Sequence, residues 1–382
     1  MIYLDNSATS WPKPPEVLRA MIETMERAGG NPGRSGHRLS IDAARVIYDC
    51  REKIAEHFNA PDPLRVIFTS NATQAINLVL RGLLKPGDEV VTTAMEHNAV
   101  MRPLRFLEKQ DIKVKIASCA ADGSLDLPQM AKLITSRTRL VTIVHASNVS
   151  GTILPVTEVT LLAHQHGVPV LVDSSQSAGA YPIDIRQIGA DMLAFTGHKE
   201  LLGPTGTGGL IISPGFDTRL LVPLMFGGTG SRSEFQEQPE DLPDKYESGT
   251  LNLIGLAGLS AGLQWIKDKG INAIREHNKN LTSILINGLS AIPGIKVLGT
   301  LSPENSIAVV SFIMTGKQVS EVGFRLDEEY GILCRVGLHC APAAHQTLGS
   351  FPEGTVRLSP GIFNTMEDIN QTLKAIQKVA SG

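Results

Sequence analysis

The order of predicted elements favours an α/β protein in which a large domain with a parallel sheet precedes a smaller α+β domain. Up to residue 212, short apolar segments alternate with helical patterns, as in sheets whose neighbouring strands are parallel. Beyond residue 270 the predicted order changes to helix, strand, strand, helix. The length of 382 residues also exceeds the usual size of one domain.

Most elements are predicted from periodicity and from flanking glycine or proline. Apolar stripes at helical spacing predict helices over 14–28, 42–58, 75–84, 253–269, 271–291 and 365–379. Short runs of β-forming residues predict strands over 1–4, 65–69, 89–93, 113–117, 140–145, 168–173, 191–195, 209–212, 295–298 and 307–314. The segments 29–36, 225–232 and 246–252 are rich in glycine and are predicted to be loops. The long helix over 253–269 is placed to link the two domains.

Two of the predicted strands bring an acid and a lysine to strand ends. The strand 168–173 ends on Asp173, and the strand 191–195 leads directly into Thr196, His198 and Lys199. In a doubly wound sheet, ligands bind at the carboxyl ends of the strands. A lysine that forms a Schiff base, with an aspartate beside the ring nitrogen, is what pyridoxal phosphate (PLP) requires. For these two residues alone, a surface lysine and a helix-capping aspartate are an equally good interpretation.

Further polar residues also follow predicted strands. The segment 70–74 runs into a helix, where free backbone N–H groups and the helix dipole favour an anion, although an ordinary helix cap has the same composition. His97 and Asn148 each come after a strand. A structural hydrogen bond is the commoner role for such a histidine, and a turn for such an asparagine.

The smaller domain contributes a cysteine and two arginines. Cys340 lies in a predicted loop close to Arg335 and His339, and adjacent positive charge favours a thiolate. A buried, inert thiol is the alternative, and it fits the other three cysteines better. Arg357 comes from a short predicted strand and could bind a carboxylate through two N–H groups, although ordinary surface arginines are far commoner.

The composition is that of an ordinary globular protein, with 42 % apolar and 19 % charged residues. A net charge of −3 argues against nucleic acid or an anionic membrane as the main partner. Four cysteines without a CxxC pair predict neither a disulfide framework nor a zinc ribbon, and the histidines near residue 165 lack a third metal ligand. The N-terminal residues lack the pattern of a signal peptide, and no apolar run approaches the ~20 residues of a membrane helix. We therefore expect a soluble, cytoplasmic protein.

Taken together, these segments resemble the cysteine desulfurases of the class V aminotransferase superfamily. The resemblance covers practically the whole chain, and its motifs occur in the family's order and spacing. They are Tyr3-Leu-Asp-Asn-Ser-Ala-Thr9, Ser70-Asn-Ala-Thr-Gln-Ala-Ile-Asn77, Glu96-His97, Asn148-Val-Ser-Gly151, Asp173-Ser-Ser-Gln176, Thr196-Gly-His-Lys199, Arg335-Val-Gly-Leu-His-Cys340-Ala-Pro342 and Phe363-Asn-Thr-Met-Glu-Asp368. The surroundings of Cys340 are closer to the group II desulfurases and selenocysteine lyases than to the long-loop group I enzymes.

The resemblance implies PLP-dependent fold type I and a homodimer. A large domain over 15–255 would carry a mainly parallel seven-stranded sheet. A small α+β domain would combine 1–14 with 256–382 and would carry the Cys340 loop. Thr229, and less surely Thr250, would reach the phosphate in the neighbouring subunit. Leu251 stands where the family usually has proline, which weakens the case for Thr250.

The resemblance also implies a role for each candidate residue. Lys199 would hold PLP covalently and then act as general base. Asp173 would pair with the pyridine nitrogen, Gln176 would bind the phenolic oxygen and His97 would stack on the ring. The phosphate would be held by Ala72, Thr73, Thr196 and His198. The segment Ser70-Asn71 replaces a glycine that many family members have, and we expect PLP binding to be unaffected. Asn148 would lie near the phenolic oxygen or the substrate, and Arg357, together with Arg335, would bind the substrate.

The implied reaction converts L-cysteine to L-alanine and places the sulfur on Cys340 as a persulfide. His97 is the candidate that handles the proton of the substrate thiol, and an acceptor protein or thiol would then take the sulfur. A selenocysteine lyase acting on L-selenocysteine is the main alternative. An aminotransferase or racemase of the same fold needs no thiol in that loop, and a non-catalytic PLP-binding protein would not need the full polar set around Lys199.

Overall fold

A seven-stranded sheet forms the centre of the computed structural model, which describes residues 1–33 and 35–382. Its strands are β2 (Val66–Thr69), β3 (Glu89–Thr93), β4 (Lys113–Ala117), β5 (Thr138–Val144), β6 (Val170–Asp173), β7 (Met192–Thr196) and β8 (Gly208–Ile212). They are ordered β2-β8-β7-β6-β5-β3-β4. Only β8 runs antiparallel to its neighbours. The predicted α/β class with a mainly parallel seven-stranded sheet is therefore confirmed.

Helices cover this sheet and bury its apolar side chains. They are α1 (Pro15–Arg27), α2 (Arg38–His57), α3 (Ala72–Leu83), α4 (Asn98–Glu108), α5 (Leu127–Leu133), α6 (Val156–His164), α7 (Ile185–Ile188) and α8 (Leu253–Lys269). The strands are buried along nearly their whole length on both faces, except β4 at the edge. This is why they are continuous apolar runs in the sequence rather than alternating ones.

Two helices begin earlier than periodicity predicts, because polar caps start them. The predicted helix over 75–84 begins at Ala72, since the Asn71 side chain accepts a hydrogen bond from the Gln74 N–H at 3.0 Å. The predicted helix over 42–58 begins at Arg38, since His37 caps it through the Ser40 N–H. The earlier start of α3 places the N–H groups of Ala72 and Thr73 at a helix N-terminus.

The C-terminal part forms a second sheet that is antiparallel. It contains β9 (Ile295–Leu298), β10 (Val310–Met314), β12 (Arg335–Gly337) and β13 (Thr355–Leu358), ordered β12-β13-β10-β9. The helices here are α9 (Ile271–Ser290), α10 (Val319–Tyr330), α11 (Pro342–Leu348) and α12 (Met366–Ser381). Periodicity missed α10 and α11, and strands as short as β12 carry no pattern of their own.

The first residues of the chain belong with the C-terminal part, where they contribute to a separate two-stranded sheet. The strand β1 (Ile2–Tyr3) pairs in parallel with β11 (Ile332–Leu333), and Asp5 forms a bridge to Ser359. The predicted division into 15–255 and 1–14 with 256–382 remains a prediction. In the described part of the chain, no helix combines the length and the apolar character needed to cross a membrane.

Candidate active site

A cavity of about 300 Å³ lies where the carboxyl ends of β5, β6 and β7 face the second sheet. All the predicted site residues line it except Cys340 and the two threonines predicted to reach the other subunit. The lining residues are Ser7, Ala8, Asn71, Ala72, Thr73, His97, Ala99, Val144, Asn148, Asp173, Ser175, Gln176, Thr196, His198, Lys199, Arg335, His339 and Arg357.

Lys199 and Asp173 form the charged centre of the cavity. Lys199 follows the end of β7, and burial lowers the pKa of its amine to about 8, although Asp173 opposes that shift. Asp173 is the last residue of β6, and its Oδ1 accepts from the backbone N–H of Ser175 at 2.9 Å and from the Ser175 hydroxyl. A neutral amine is nucleophilic, so the lowered pKa prepares Lys199 to condense with an aldehyde near neutral pH.

The backbone around Lys199 is held by the N-terminal segment. Ser10 donates through its hydroxyl to the Lys199 carbonyl at 2.6 Å, and Thr9 donates to the His198 carbonyl at 3.1 Å. Lys13 donates to the same His198 carbonyl at 2.7 Å. Residues that follow the small strand β1 therefore hold the backbone around the lysine.

His97 caps the N-terminus of α4 beside the cavity. Its Nδ1 accepts from the Ala99 N–H at 3.0 Å, which assigns the proton of the neutral ring to Nε2. Burial, reinforced by the charge of Lys199, lowers the pKa of His97 to about 4. The ring is therefore neutral at physiological pH, as a group stacked on an aromatic cofactor would be.

One end of the cavity is suited to a phosphate. Ala72 and Thr73 occupy the first turn of α3, where backbone N–H groups have no partner within the helix. Thr196 Oγ1 and His198 Nδ1 are buried without a hydrogen-bond partner among the described residues. Buried polar groups are normally paired. These unpaired groups, gathered with a helix N-terminus, therefore fit an anionic group such as the phosphate of PLP.

The opposite wall carries Arg357, which is 1 % exposed. Its guanidinium donates to the Asn148 carbonyl at 3.0 Å and to Asp5 Oδ1 at 2.7 Å, while its Nε has no partner among the described residues. Arg335 stands directly opposite Arg357 in the register of β12 and β13. Two arginines at facing positions, of which Arg357 alone pairs with a described carboxylate, leave a net positive charge that suits one more anion.

Cys340 lies beside this wall but faces outward. It is exposed, and Arg335 Nη2 approaches its Sγ to 3.7 Å. The loop is tied to the large sheet because Asn98 donates to the Cys340 carbonyl at 2.8 Å and Asn148 donates to the His339 carbonyl at 2.7 Å. Both His339 and Cys340 have positive φ angles, 48° and 58°. Such left-handed residues cost conformational energy, so this geometry persists because its surroundings hold it.

The other cysteines are unsuited to reaction at neutral pH. Burial raises the pKa of Cys50, Cys119 and Cys334 to about 12. Each of these thiols therefore remains protonated, whereas only the thiolate is an effective nucleophile. Among the four cysteines, Cys340 alone is exposed.

Two predicted partner contacts lie outside the cavity of the single subunit. Thr229 bonds locally with Ser231, and Thr250 accepts a long hydrogen bond from Asn31 at 3.5 Å. Neither side chain is among the lining residues of the described cavity. Their predicted role at a neighbouring subunit is therefore still a prediction.

Comparison with known proteins places this geometry in a family. The family described as aminotransferase class-V matches residues 2–372. The chain belongs to the class-V aminotransferase family. A curated class-V relative named probable cysteine desulfurase, from Methanothermobacter thermautotrophicus, is 37 % identical over 99 % of this chain and 94 % of its own length. Another of the same name, from Synechocystis sp., is 35 % identical over 99 % of this chain and 90 % of its own length.

Solved structures agree with the class-V assignment. The apo structure of cysteine desulfurase from Thermococcus onnurineus NA1 has a TM-score of 0.93 and 32 % identity, covering 100 % of this chain and 95 % of that one. Class-V aminotransferases and cysteine desulfurases are PLP-dependent enzymes, so the predicted cofactor is confirmed. The unpaired groups at the phosphate end and the Lys199–Asp173 pair show that the cavity of this class-V protein fits PLP.

Sequence reasoning missed the residues that act across the two sheets of this class-V protein. Asp5 pairs with Arg357, and Gln176 donates to the Ser7 carbonyl at 3.2 Å. The signal for Asp5 was present, because β1 is a short apolar strand followed by an acid, as β6 ends on Asp173. No local pattern could have paired Asp5 with an arginine 352 residues away.

Proposed function

We propose that the protein is a cysteine desulfurase that converts L-cysteine to L-alanine and carries the removed sulfur on Cys340. The observation that carries this proposal is the position of an exposed thiol, with a guanidinium at 3.7 Å, beside a cavity lined by a half-buried lysine and an aspartate. An aminotransferase needs the lysine and the aspartate but has no use for that thiol. The curated class-V relatives named above carry the same activity in their names.

Arg357 binds the substrate carboxylate in this proposal. Its unpaired Nε–H and the remaining N–H bonds of its guanidinium can donate to a carboxylate while Asp5 and Asn148 keep the group oriented. Arg335, opposite in the sheet register, adds positive charge to the same wall. Fixing the carboxylate fixes the direction of the Cα–H bond, and such orientation contributes strongly to rate.

Lys199 then moves the Cα proton. A pKa of about 8 lets its free amine accept and return a proton near neutral pH. When bound, PLP supplies a sink for the electron pair that remains at Cα. Asp173 supports this sink by holding a proton on the ring nitrogen. Thr196, His198, Ala72 and Thr73 hold the phosphate, and Gln176 binds the phenolic oxygen.

Cys340 takes the sulfur as a thiolate. Its Sγ forms a bond with the substrate sulfur while the carbon–sulfur bond of the substrate breaks. The electron pair of the broken bond stays with the amino-acid fragment, which takes up a proton and becomes alanine. Cys340 is left as a persulfide, so no external oxidant or reductant is required.

His97 handles the proton of the substrate thiol. In the neutral ring, the lone pair that could take a proton is on Nδ1, and it already accepts a hydrogen bond from the Ala99 N–H. Proton transfer to His97 is therefore coupled to opening of that hydrogen bond. While it caps α4, the same ring would stack on the cofactor.

The active unit is a homodimer in this proposal. One face of α1 exposes Leu18, Ile22 and Met25, of which Leu18 is 62 % and Met25 is 66 % exposed. The loop that carries Thr229 also exposes Phe226 and Phe235. Apolar surface of this kind marks interaction sites. Burying it against a second copy would bring Thr229 towards the neighbouring phosphate, while the weaker candidate Thr250 lies after the same loop.

The domain division and the compartment complete the proposal. Residues 15–255 would form the PLP-binding domain, and residues 1–14 with 256–382 would form the domain that presents Cys340. A catalytic thiol must stay reduced between turnovers, and this suits the cytoplasm.

Product analysis tests the proposed activity. The intact enzyme and Cys340→Ala are each incubated with L-cysteine, and alanine is quantified. We expect alanine from the intact enzyme and nearly none from the variant, with the colour of bound PLP unchanged in both. Undiminished alanine production by Cys340→Ala contradicts the persulfide role.

A selenocysteine lyase is the second candidate. It is favoured by one observation, namely that Cys340 faces outward and does not line the described cavity. A lyase of that kind would release selenium from L-selenocysteine without a covalent thiol step. Retained turnover of L-selenocysteine by Cys340→Ala, together with negligible turnover of L-cysteine by the intact enzyme, selects this candidate.

A further inference from the structure

A second cavity adjoins the active site on the outer side of His97. It encloses about 460 Å³ between α3 and α4, and Cys340 forms one of its walls. We call it the Cys340 groove and define it by Cys340, His97, Asn77, Arg81, Arg102 and Phe106. His97 and Thr73 line both spaces, so the groove and the active-site cavity share a wall. The proposed function gives this groove no role.

The groove is cationic and apolar. Arg81 and Arg102 are exposed, and neither has a carboxylate partner within the described chain. The next arginine of α4, Arg105, does have one, since it pairs with Glu108 at 2.7 Å. Phe106 is 49 % exposed, and the Arg81 guanidinium lies 5.8 Å from its ring centre. Two unpaired cations around an exposed ring are suited to an anionic polypeptide.

The length of the groove favours a peptide over a small thiol. It follows α4 from His97 to Phe106, nine residues, which is about 14 Å at the rise of an α-helix. An extended chain covers that length with about four residues. A free amino acid or a small thiol would leave most of it empty.

The backbone of Cys340 is fixed at this groove by a hydrogen bond. The Asn98 N–H donates to the Cys340 carbonyl at 2.8 Å, and Asn98 is the first residue of α4. A sulfur atom added to Sγ therefore stands next to the groove formed by the same helix. The Cys340 carbonyl and the groove share one rigid support.

From these contacts we infer that the Cys340 groove binds an acidic, cysteine-containing segment of a sulfur-acceptor protein. This inference rests on the proposed function. The acceptor thiolate attacks the outer sulfur of the Cys340 persulfide and forms a new S–S bond. The old S–S bond breaks, its electron pair leaves with Cys340 as thiolate, and the acceptor becomes the persulfide. Arg81 and Arg102 bind carboxylates on either side of the acceptor cysteine.

Peptide acceptors test the inference with the PLP-loaded enzyme. Two six-residue peptides each carry one cysteine, flanked by glutamates in one and by glutamines in the other. Alanine is measured first in a single burst without peptide and then over many turnovers with each peptide. We expect the glutamate peptide to have a kcat/KM about fivefold higher than the glutamine peptide, an advantage that shrinks in high salt.

The matched variants are Arg81→Gln with Arg102→Gln, and Arg105→Gln as control. The double variant should lose the preference for the glutamate peptide while keeping the burst. Arg105→Gln should keep both, because its side chain is already paired and lies outside the groove.

The outcomes separate the inference from the proposed function. Absence of an alanine burst in the intact enzyme overturns the proposed function. A normal burst with equal kcat/KM for the two peptides overturns the acidic-segment inference. So does an unchanged preference in the double variant. If a second copy of the chain or a small thiol occupies the groove, peptide charge has no effect, which again overturns it.

Discussion

The wall around Lys199 and the loop around Cys340 supply the two halves of the proposed chemistry, and they are built in opposite ways. Lys199 is half-buried, follows a central strand and is held by contacts to its backbone from the N-terminal segment. Cys340 is exposed and has a left-handed backbone. Proton transfer at Cα needs a dry, fixed environment, whereas a sulfur carrier must meet a second molecule. The difference shows how one protein can combine a closed reaction with an open delivery site.

The largest effect is expected from Lys199→Ala. Loss of the buried amine removes both the covalent attachment of PLP and the proposed base, so turnover of L-cysteine should fall by about 10³-fold or more. The visible absorbance of the bound cofactor should disappear as well. The control is Lys267→Ala, which removes an amine that pairs with Glu56 at the surface and lies outside the described cavity. Retained colour and turnover in Lys199→Ala would contradict the assignment.

The second prediction tests the ion pair between Asp5 and the buried Arg357. Asp5→Asn leaves the Arg357 guanidinium buried without its carboxylate, so the free energy of unfolding should fall by about 3 kcal/mol. Denaturant unfolding of the PLP-loaded protein measures this loss. Asp217→Asn is the control, because its pair with Arg219 is exposed and should contribute little. Equal stability of the two variants would show that Asp5 does not compensate Arg357.

The third prediction concerns pH. Burial lowers the pKa of Lys199 to about 8, so the reactive neutral amine becomes tenfold scarcer with each pH unit below that value. The rate at which the PLP-free protein captures PLP should therefore rise with pH up to about 8 and then level off. Stopped-flow absorbance measures the rate. A profile still rising steeply above pH 9 would mean that the amine is not shifted.

The smallest effect is expected for the reactivity of the exposed Cys340. Arg335→Gln removes the cation 3.7 Å from the Cys340 sulfur, and its attraction for a thiolate is weakened by solvent. Alkylation of Cys340 by iodoacetamide at pH 7 should slow by about threefold. Arg102→Gln, which does not contact the thiol, is the control. A change larger than about 30-fold would mean that Cys340 is far more enclosed than its exposure indicates.

The two halves also differed in how far the sequence could predict them. Asp173, Thr196 and Lys199 lie at the ends of buried strands, and such strands are visible as apolar runs. The motif around Cys340 was visible too, but its outward orientation depends on Asn98 and Asn148, which lie far away in the chain. The pairing of Arg357 with Asp5 and the groove between α3 and α4 arise only when distant segments pack together. Strands of two or three residues, such as β11 and β12, have too little periodicity to predict.

The N-terminal segment has a mechanical consequence for the whole molecule. It is bound to the C-terminal part through the pairing of β1 with β11 and through the Asp5–Ser359 bridge, and to the large sheet through the carbonyls of His198 and Lys199. A segment that is bound to both parts of the molecule resists their rotation relative to each other. Rotating one sheet against the other would stretch several short hydrogen bonds at once. The N-terminal segment therefore links the position of Lys199 at the large sheet to that of Arg357 in the small sheet.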